Sequence, residues 1–329
     1  MSLQKFDRRS QVILLAAIAS IVIFPIFDNP FEETVMITFF MWTVLAVSWN
    51  LLLGFGGIPA FGNLTFFAVG GYTSAYLGLH GYSPWAAILV GTTFSAIVGL
   101  GMGAPTLRLR GIYVALFTFA SEELLRNTVL LADLVPWTGG SLGLQGVPHF
   151  PIDTRWLSLF NYYFAFGILL LTCGSVFLLL RSRVGLALIS VRESELYAES
   201  LGVNVYRHKL LAFILSALFS GFVGAFYAHY TGAFTPSNLS FTLLLQILVM
   251  ILIGGLGTQI GPVVGAFILT FLSEYLRASL AGQVALFRLA VIGLLIPIVL
   301  ILFPSGLARL VDRFRKPLRR TLQRAAPTI

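Results

Sequence analysis

The strongest constraint on this chain is a series of long, uninterrupted apolar runs. They lie near 11–27, 34–53, 64–80, 84–104, 112–131, 158–180, 210–230, 240–256, 260–279 and 285–303, each bounded by charge, proline or a polar cluster. A helix rising ~1.5 Å per residue crosses a ~30 Å hydrocarbon layer in about 20 residues. Inside lipid the backbone must satisfy its own hydrogen bonds, which leaves helices or a closed barrel. Barrel strands alternate over about ten residues, and these runs do not. Only 10% of the 329 residues are charged and 57% are hydrophobic, against about 25% charged in soluble domains. The chain therefore reads as an all-α, polytopic helical membrane protein, with residues 1–329 forming one transmembrane domain of about ten helices. The count falls to about eight if short runs do not span. The third run is short and its approach is broken by glycine, so an interrupted or re-entrant helix there is left open.

Basic residues set the expected orientation. Starting inside and crossing ten times puts Lys5, Arg8, Arg9, Arg108, Arg110, Arg181, Arg183, Arg192, Arg207 and Lys209 on the cytoplasmic side. Arg309, Arg313, Arg315, Lys316, Arg319, Arg320 and Arg324 of the tail join them, making 17 of the 21 basic residues. Both termini are then cytoplasmic, as are the loop 181–209 and the basic tail 304–329, while the Gly- and Pro-rich loop 132–157 faces outward. The net charge of +8 is accounted for by topology and by attraction to anionic lipid, and no nucleic-acid partner is expected. Lys5, Arg8 and Arg9 ahead of an apolar run resemble a secretion signal. The FDNPFEE that follows lacks a small-x-small cleavage pattern, so the run is read as a retained first helix.

No catalytic or metal constellation is present. His80, His149, His208 and His229 are scattered, Cys173 is alone in LLLTCGSVFLLL, and neither H-E-x-x-H nor G-x-S-x-G occurs. The three lysines never follow glycine, so there is no P-loop and no ATP site of that kind. Glu122 and Glu123 fall mid-run, where an isolated charge costs ~2.5–3.5 kcal/mol on insertion scales. Arg126 stands one helical turn away. Either Arg126 neutralises one glutamate in a packed helix, or a glutamate lines a pathway or locks two helices. In the basic loop, RESELYAESLG has the pattern of a short amphipathic helix stopped by Gly202.

The segment 54–78, GFGGIPAFGNLTFFAVGGYTSAYLG, carries seven glycines. Small residues let membrane helices approach closely. Pro59 and Asn63 mark a break just before the third run, tolerable at membrane depth only if protein or a water-filled path surrounds it. Tight packing and a place beside the pathway are both open readings.

Several stretches, in order over roughly 38–280, resemble one family. GFGGIPAFGNLTFFAVGGYTSAYL is similar to its GxxGxxSLGxAAFxGxGAYTxA segment, and TLRLRGIYVALFTFASEELLR to its next motif. TGGSLGLQGVP matches TGGxxGLxGIP, and IGGLGTQIGPVVGAFIL matches IGGxGTxxGPxxGA. The span from Ser182 to Ala228 resembles the family's loop and helix that carry the coupling motif. These mark LivM-like permease subunits of branched-chain amino-acid ABC importers. The resemblance implies a permease of the bacterial inner membrane that works with a homologous second permease, two cytoplasmic ATPases and a periplasmic solute-binding protein. ATP and Mg would be bound by the ATPases and no cofactor by this chain. It implies an ATPase-coupling helix carrying Arg192, Glu193, Glu195, Ala198, Glu199 and Gly202, with Tyr197 and Ser200 where the family more often has small residues. Pathway or packing candidates are Gly56, Gly57, Pro59, Gly62, Asn63, Glu122, Glu123, Arg126, Thr138, Gly139 and Gly140. Ile58, and Ala60-Phe61-Gly62-Asn63 in place of Ser-Leu-Gly-His, depart from the pattern. Family members also carry urea, short-chain amides and other amino acids. An ion-coupled secondary transporter using Glu122 or Glu123 is the competing class.

The orientation has a direct check. In a Cys173→Ser background, a membrane-impermeant maleimide should label Ser141→Cys in intact cells and Thr321→Cys only after permeabilisation. The reverse pattern would invert the topology.

Overall fold

A computed structural model describes residues 30–279, and within them eight of the ten expected spans are helical. The runs near 11–27 and 285–303 and the tail 304–329 lie outside the described residues. The helices are α1 (Pro30–Asn50), α2 (Asn63–Leu79), α3 (Pro84–Thr106), α4 (Ile112–Val129) and α5 (Thr154–Arg181). Next come two short ones, α6 (Arg183–Glu193) and α7 (Glu195–Ser200), then α8 (Val205–Thr231), α9 (Phe241–Gly254) and α10 (Gly261–Ser279). Pro30–Phe55, Pro84–Thr106, Arg155–Arg181 and Val205–Thr231 are each long and apolar enough to cross a membrane. This is a polytopic helical membrane protein.

Local capping sets several boundaries that apolar periodicity alone misses. Helix α8 begins at Val205, earlier than the apolar run, because the Asn204 side chain accepts a hydrogen bond from Arg207 N–H at 3.0 Å. The third expected span is an unbroken helix, α2. The interruption precedes it, at 56–62.

The core is built on α8, which packs along α2 and α3, with α2 also against α3. No hydrophobic force pulls helices together in lipid, so contact depends on close packing and on buried hydrogen bonds. Both are present. A Cβ at Gly224 would lie 2.0 Å from Phe67 O, and one at Gly70 2.2 Å from Gly221 O, so only glycine permits this helix spacing. Ser95 Oγ, fully buried, reaches Phe66 O at 2.9 Å and Ala217 O at 2.8 Å, joining α3 to both neighbours. Ser216 Oγ donates to Ser48 O at 2.8 Å and lies 2.9 Å from Asn63 Oδ1, while Ser48 and Ser220 hydroxyls meet at 2.8 Å. These bonds tie α1, α2 and α8 at one level.

The chain ends of the helices sort into two faces. One carries the basic loop 181–209, the 56–62 break and the α9–α10 turn; we refer to it as the basic end. At the other end the long loop after α4 is strapped to the end of α8. Strand β1 (Leu144–Gln145) pairs antiparallel with β2 (Ala233–Phe234), Leu144 opposite Phe234. Val147 N–H donates to Gly232 O at 2.9 Å. His149 Nδ1 lies 2.7 Å from His229 O, and His229 Nδ1 2.7 Å from Pro148 O, a reciprocal pair.

Packing at the α2–α8 seam predicts a sharp contrast between two glycines. Gly224→Ala should destabilise the protein by about 1–3 kcal/mol through overpacking. Gly167→Ala, with nothing within 4 Å of the new methyl, should leave the melting temperature in detergent unchanged or raised. Equal behaviour of the two variants would contradict the seam.

Candidate functional site

At the basic end α1 does not stop cleanly. It runs into a π-turn over Leu51–Phe55, the form that single-turn insertions take inside helices, often at functional positions. The chain then crosses 56–62 without regular structure before α2 begins. Thr118, which meets this break, stands about 9 Å along α4 from its Ile112 end by helical rise. The break therefore enters the depth of the bundle rather than lying on its surface.

At that depth each polar backbone group needs a protein partner, and two side chains and the π-turn supply partners to this segment. Trp49 Nε1 donates to Ala60 O at 2.6 Å. Phe61 N–H donates to Thr118 Oγ1 at 2.9 Å. Gly56 N–H and Ile58 N–H bond back to Leu51 O and Leu52 O at 2.9 and 3.0 Å. Gly62 must be glycine, since a Cβ there would come 2.7 Å from Thr118 O. Ile58 is buried, and Phe61 sets its ring edge-on to Trp49. Both apolar departures thus pack the break.

The two mid-run glutamates separate completely. Glu123 pairs with Arg126 at 3.5 Å on a partly exposed face. Glu122 is buried, meets the backbone N–H of Leu64, and leaves Oε2 without a hydrogen-bond partner. It stands one turn after Thr118, and both side chains seat the start of α2. The N-cap of α2, Gly62, has no side-chain cap, and the Glu122 carboxyl lies beside the Leu64 N–H in the uncapped first turn of that helix.

A second break mirrors the first. Between α9 and α10 the turn 255–260 comes against the π-turn, joined by Asn50. Its Oδ1 accepts from Gly257 N–H and its Nδ2 donates to Thr258 O, both at 2.9 Å. A Cβ on Gly54 would collide with Asn50 Oδ1 at 2.1 Å and Gly257 N at 2.5 Å. Arg192, on the last turn of α6, lies over both breaks from the loop side. A Cβ at Gly57 would be 3.0 Å from its Cγ, and one at Gly257 2.5 Å from its Nη1.

Helix α7 projects next to this junction. Ser194 caps it, with Tyr197 N–H 3.4 Å from Ser194 Oγ, and Gly202 ends it at φ +80°. Ala198 faces inward and is buried, and Glu195 forms an ion pair with Lys209 of α8. Leu196, Tyr197 and Leu201 are the exposed groups, at 76, 74 and 81%. Glu193 and Glu199 are exposed beside them.

Gly56, Gly57, Pro59, Gly62, Asn63, Glu122 and Arg192 are therefore gathered at one place. Thr138, Gly139 and Gly140 are not; they build a turn at the other end, where Thr138 Oγ1 donates to Val129 O at 2.7 Å and Gly139 and Gly140 have positive φ. Sequence reading missed Trp49, Asn50, Thr118 and Gly257. Asn50 carried a weak signal, a lone amide in an apolar run, but its partners are more than 200 positions away.

The capping role of Glu122 makes the two glutamates unequal. Glu122→Ala should cost about 1 kcal/mol, the usual scale for a lost helix N-cap, with Glu122→Gln retaining most of it. Glu123→Ala should cost under about 0.5 kcal/mol, as for an exposed ion pair. Thermal unfolding in detergent measures both, and equal losses would rule out the cap.

The permease component family of branched-chain amino acid transport systems matches residues 32–300. The high-affinity branched-chain amino acid transport system permease protein LivM of Salmonella typhimurium is 30% identical over 71% of this chain and 60% of its own length. LivM of Escherichia coli is 29% identical over the same shares. The guanosine ABC transporter permease protein NupQ of Bacillus subtilis is 22% identical over 49% of this chain and 55% of its own length. The chain thus spans about 60% of the length of the LivM relatives. No solved structure matches it. With helix breaks buried at one end of a polytopic bundle and a family match across most of its length, the chain belongs to the branched-chain amino acid transport system permease family.

Proposed function

We propose that this chain is the permease subunit of an ATP-binding-cassette importer carrying branched-chain or related amino acids from periplasm to cytoplasm. The observation that carries the proposal is α7. It is a short capped helix between two spans that turns Ala198 inward and presents Leu196, Tyr197 and Leu201 outward at the basic end. Exposed apolar groups of this size on a loop helix are expected to be covered by a partner. With the basic end facing the cytoplasm, that partner is an ATPase subunit, which binds ATP and Mg in place of this chain. A homologous second permease completes the pathway, and a periplasmic binding protein delivers cargo to the opposite end. The inner membrane is the site of action, with both termini cytoplasmic.

A nucleoside is the second cargo reading, favoured by the similarity to the guanosine permease protein. The fold does not separate the two. Urea and short-chain amides remain within the same machinery.

Reconstituted with its ATPase and binding-protein partners, the chain should import leucine only while ATP is hydrolysed. Excess guanosine should not compete; competition by guanosine with no effect of leucine would move the cargo to nucleosides. Leu201→Glu should lower uptake by about tenfold or more, as when a buried apolar contact at an interface centre is lost. Uptake by this chain alone, abolished by an uncoupler and indifferent to ATP, would establish the ion-coupled alternative instead.

A further inference from the structure

Two glycines with left-handed backbone, Gly57 at φ +63° and Gly257 at φ +72°, belong to different helix breaks. Both turn their open face to one side chain, Arg192. The aliphatic stem covers Gly57, and the guanidinium reaches Gly257. From the membrane side Asn50 already fastens the same two segments by hydrogen bonds to Gly257 and Thr258. Gly54 O completes the junction, 3.0 Å from where a Cβ of Gly257 would stand. The two breaks are thus gripped from both sides, by a buried amide within the bundle and by a solvent-facing arginine outside it.

The two grips differ in kind. Asn50 is 1% exposed and part of α1, so it cannot leave without disrupting the helix end. Arg192 is exposed and forms no ion pair with an acid of the described residues. It sits at the end of α6, and only Glu193 separates it from Ser194, the cap of α7. A displacement of α7 that drew the end of α6 with it would move the guanidinium away from Gly257.

We propose that Arg192 is a positioning residue that clasps the 54–57 and 255–258 segments together, and that displacement of α7 withdraws it and frees the second segment. The clasp stands on the geometry of this chain alone; its release by nucleotide rests on the proposed function above. Residues in the two breaks are separated by about 200 positions, so a single side chain linking both to the loop makes them respond as one unit.

Hydrogen–deuterium exchange of the full chain, read by mass spectrometry, tests this. In the nucleotide-free protein, Arg192→Ala should speed exchange in both 54–58 and 255–260 several-fold, because the side chain that covers Gly57 and Gly257 is removed. Arg192→Lys keeps the stem over Gly57 but is too short for Gly257, so only 255–260 should speed up. Arg183→Ala, an arginine at the start of the same helix, should change neither. Unchanged exchange at both segments in Arg192→Ala, or a uniform rise along the whole chain, would overturn the clasp. In the complex with its ATPases, ATP binding should accelerate 255–260 in the wild type and have no further effect in Arg192→Ala. A wild-type segment indifferent to ATP would overturn the release step. Failure to assemble with any ATPase would count against the transport reading, and the nucleotide-free comparison would still decide the clasp.

Discussion

Everything in this structure depends on the rule that a backbone amide or carbonyl at membrane depth must have a protein partner. The eight described spans meet that rule largely within themselves. The stretch 56–62 cannot, and so it exists only where Trp49, Thr118 and the π-turn supply what helical pairing does not. Each of those donors or acceptors fixes a neighbouring helix in turn. Thr118 and Glu122 hold α4 against the start of α2, and Asn50 holds the end of α1 against the α9–α10 turn. The irregular segments are therefore the places where the bundle is most specifically determined.

Much of the fold was legible because hydropathy at a span of ~20 residues is a strong signal. Runs near 84–104 and 112–131 agree with α3 and α4 to within a few residues. Boundaries set by caps were not legible as apolar pattern, and Asn204 moved the start of α8 by about a turn. The 56–62 irregularity was visible in Pro59 and Asn63 after a cluster of glycines, a combination that disfavours a continuous helix. What it packs against was not visible. The bonds from Asn50 to Gly257 and Thr258 join positions that no local rule connects, and Thr118 looked like any helical threonine.

The mid-span acids show how two identical residues side by side acquire different work. On a helix, successive positions point about 100° apart, so Glu123 reaches the face where Arg126 stands and Glu122 turns inward to Leu64. Composition announces that a carboxylate is present at an expensive depth, but only the rotation of α4 decides which one is enclosed. The Gly- and Ser-based seam between α2, α3 and α8 had the opposite history: small residues announced close approach, and the approach is found.

The strap at the far end has a mechanical meaning. Helix α8 is about 40 Å long at ~1.5 Å per residue. At one end the β1–β2 ladder and the bonds of His149 to His229 O and of His229 to Pro148 O tie it to the rim loop. At the other, Lys209 ties it to Glu195 of α7. A rod fastened at both tips transmits tilt without stretching, so the far rim and the loop helix share one rigid lever even though no side chain runs between them.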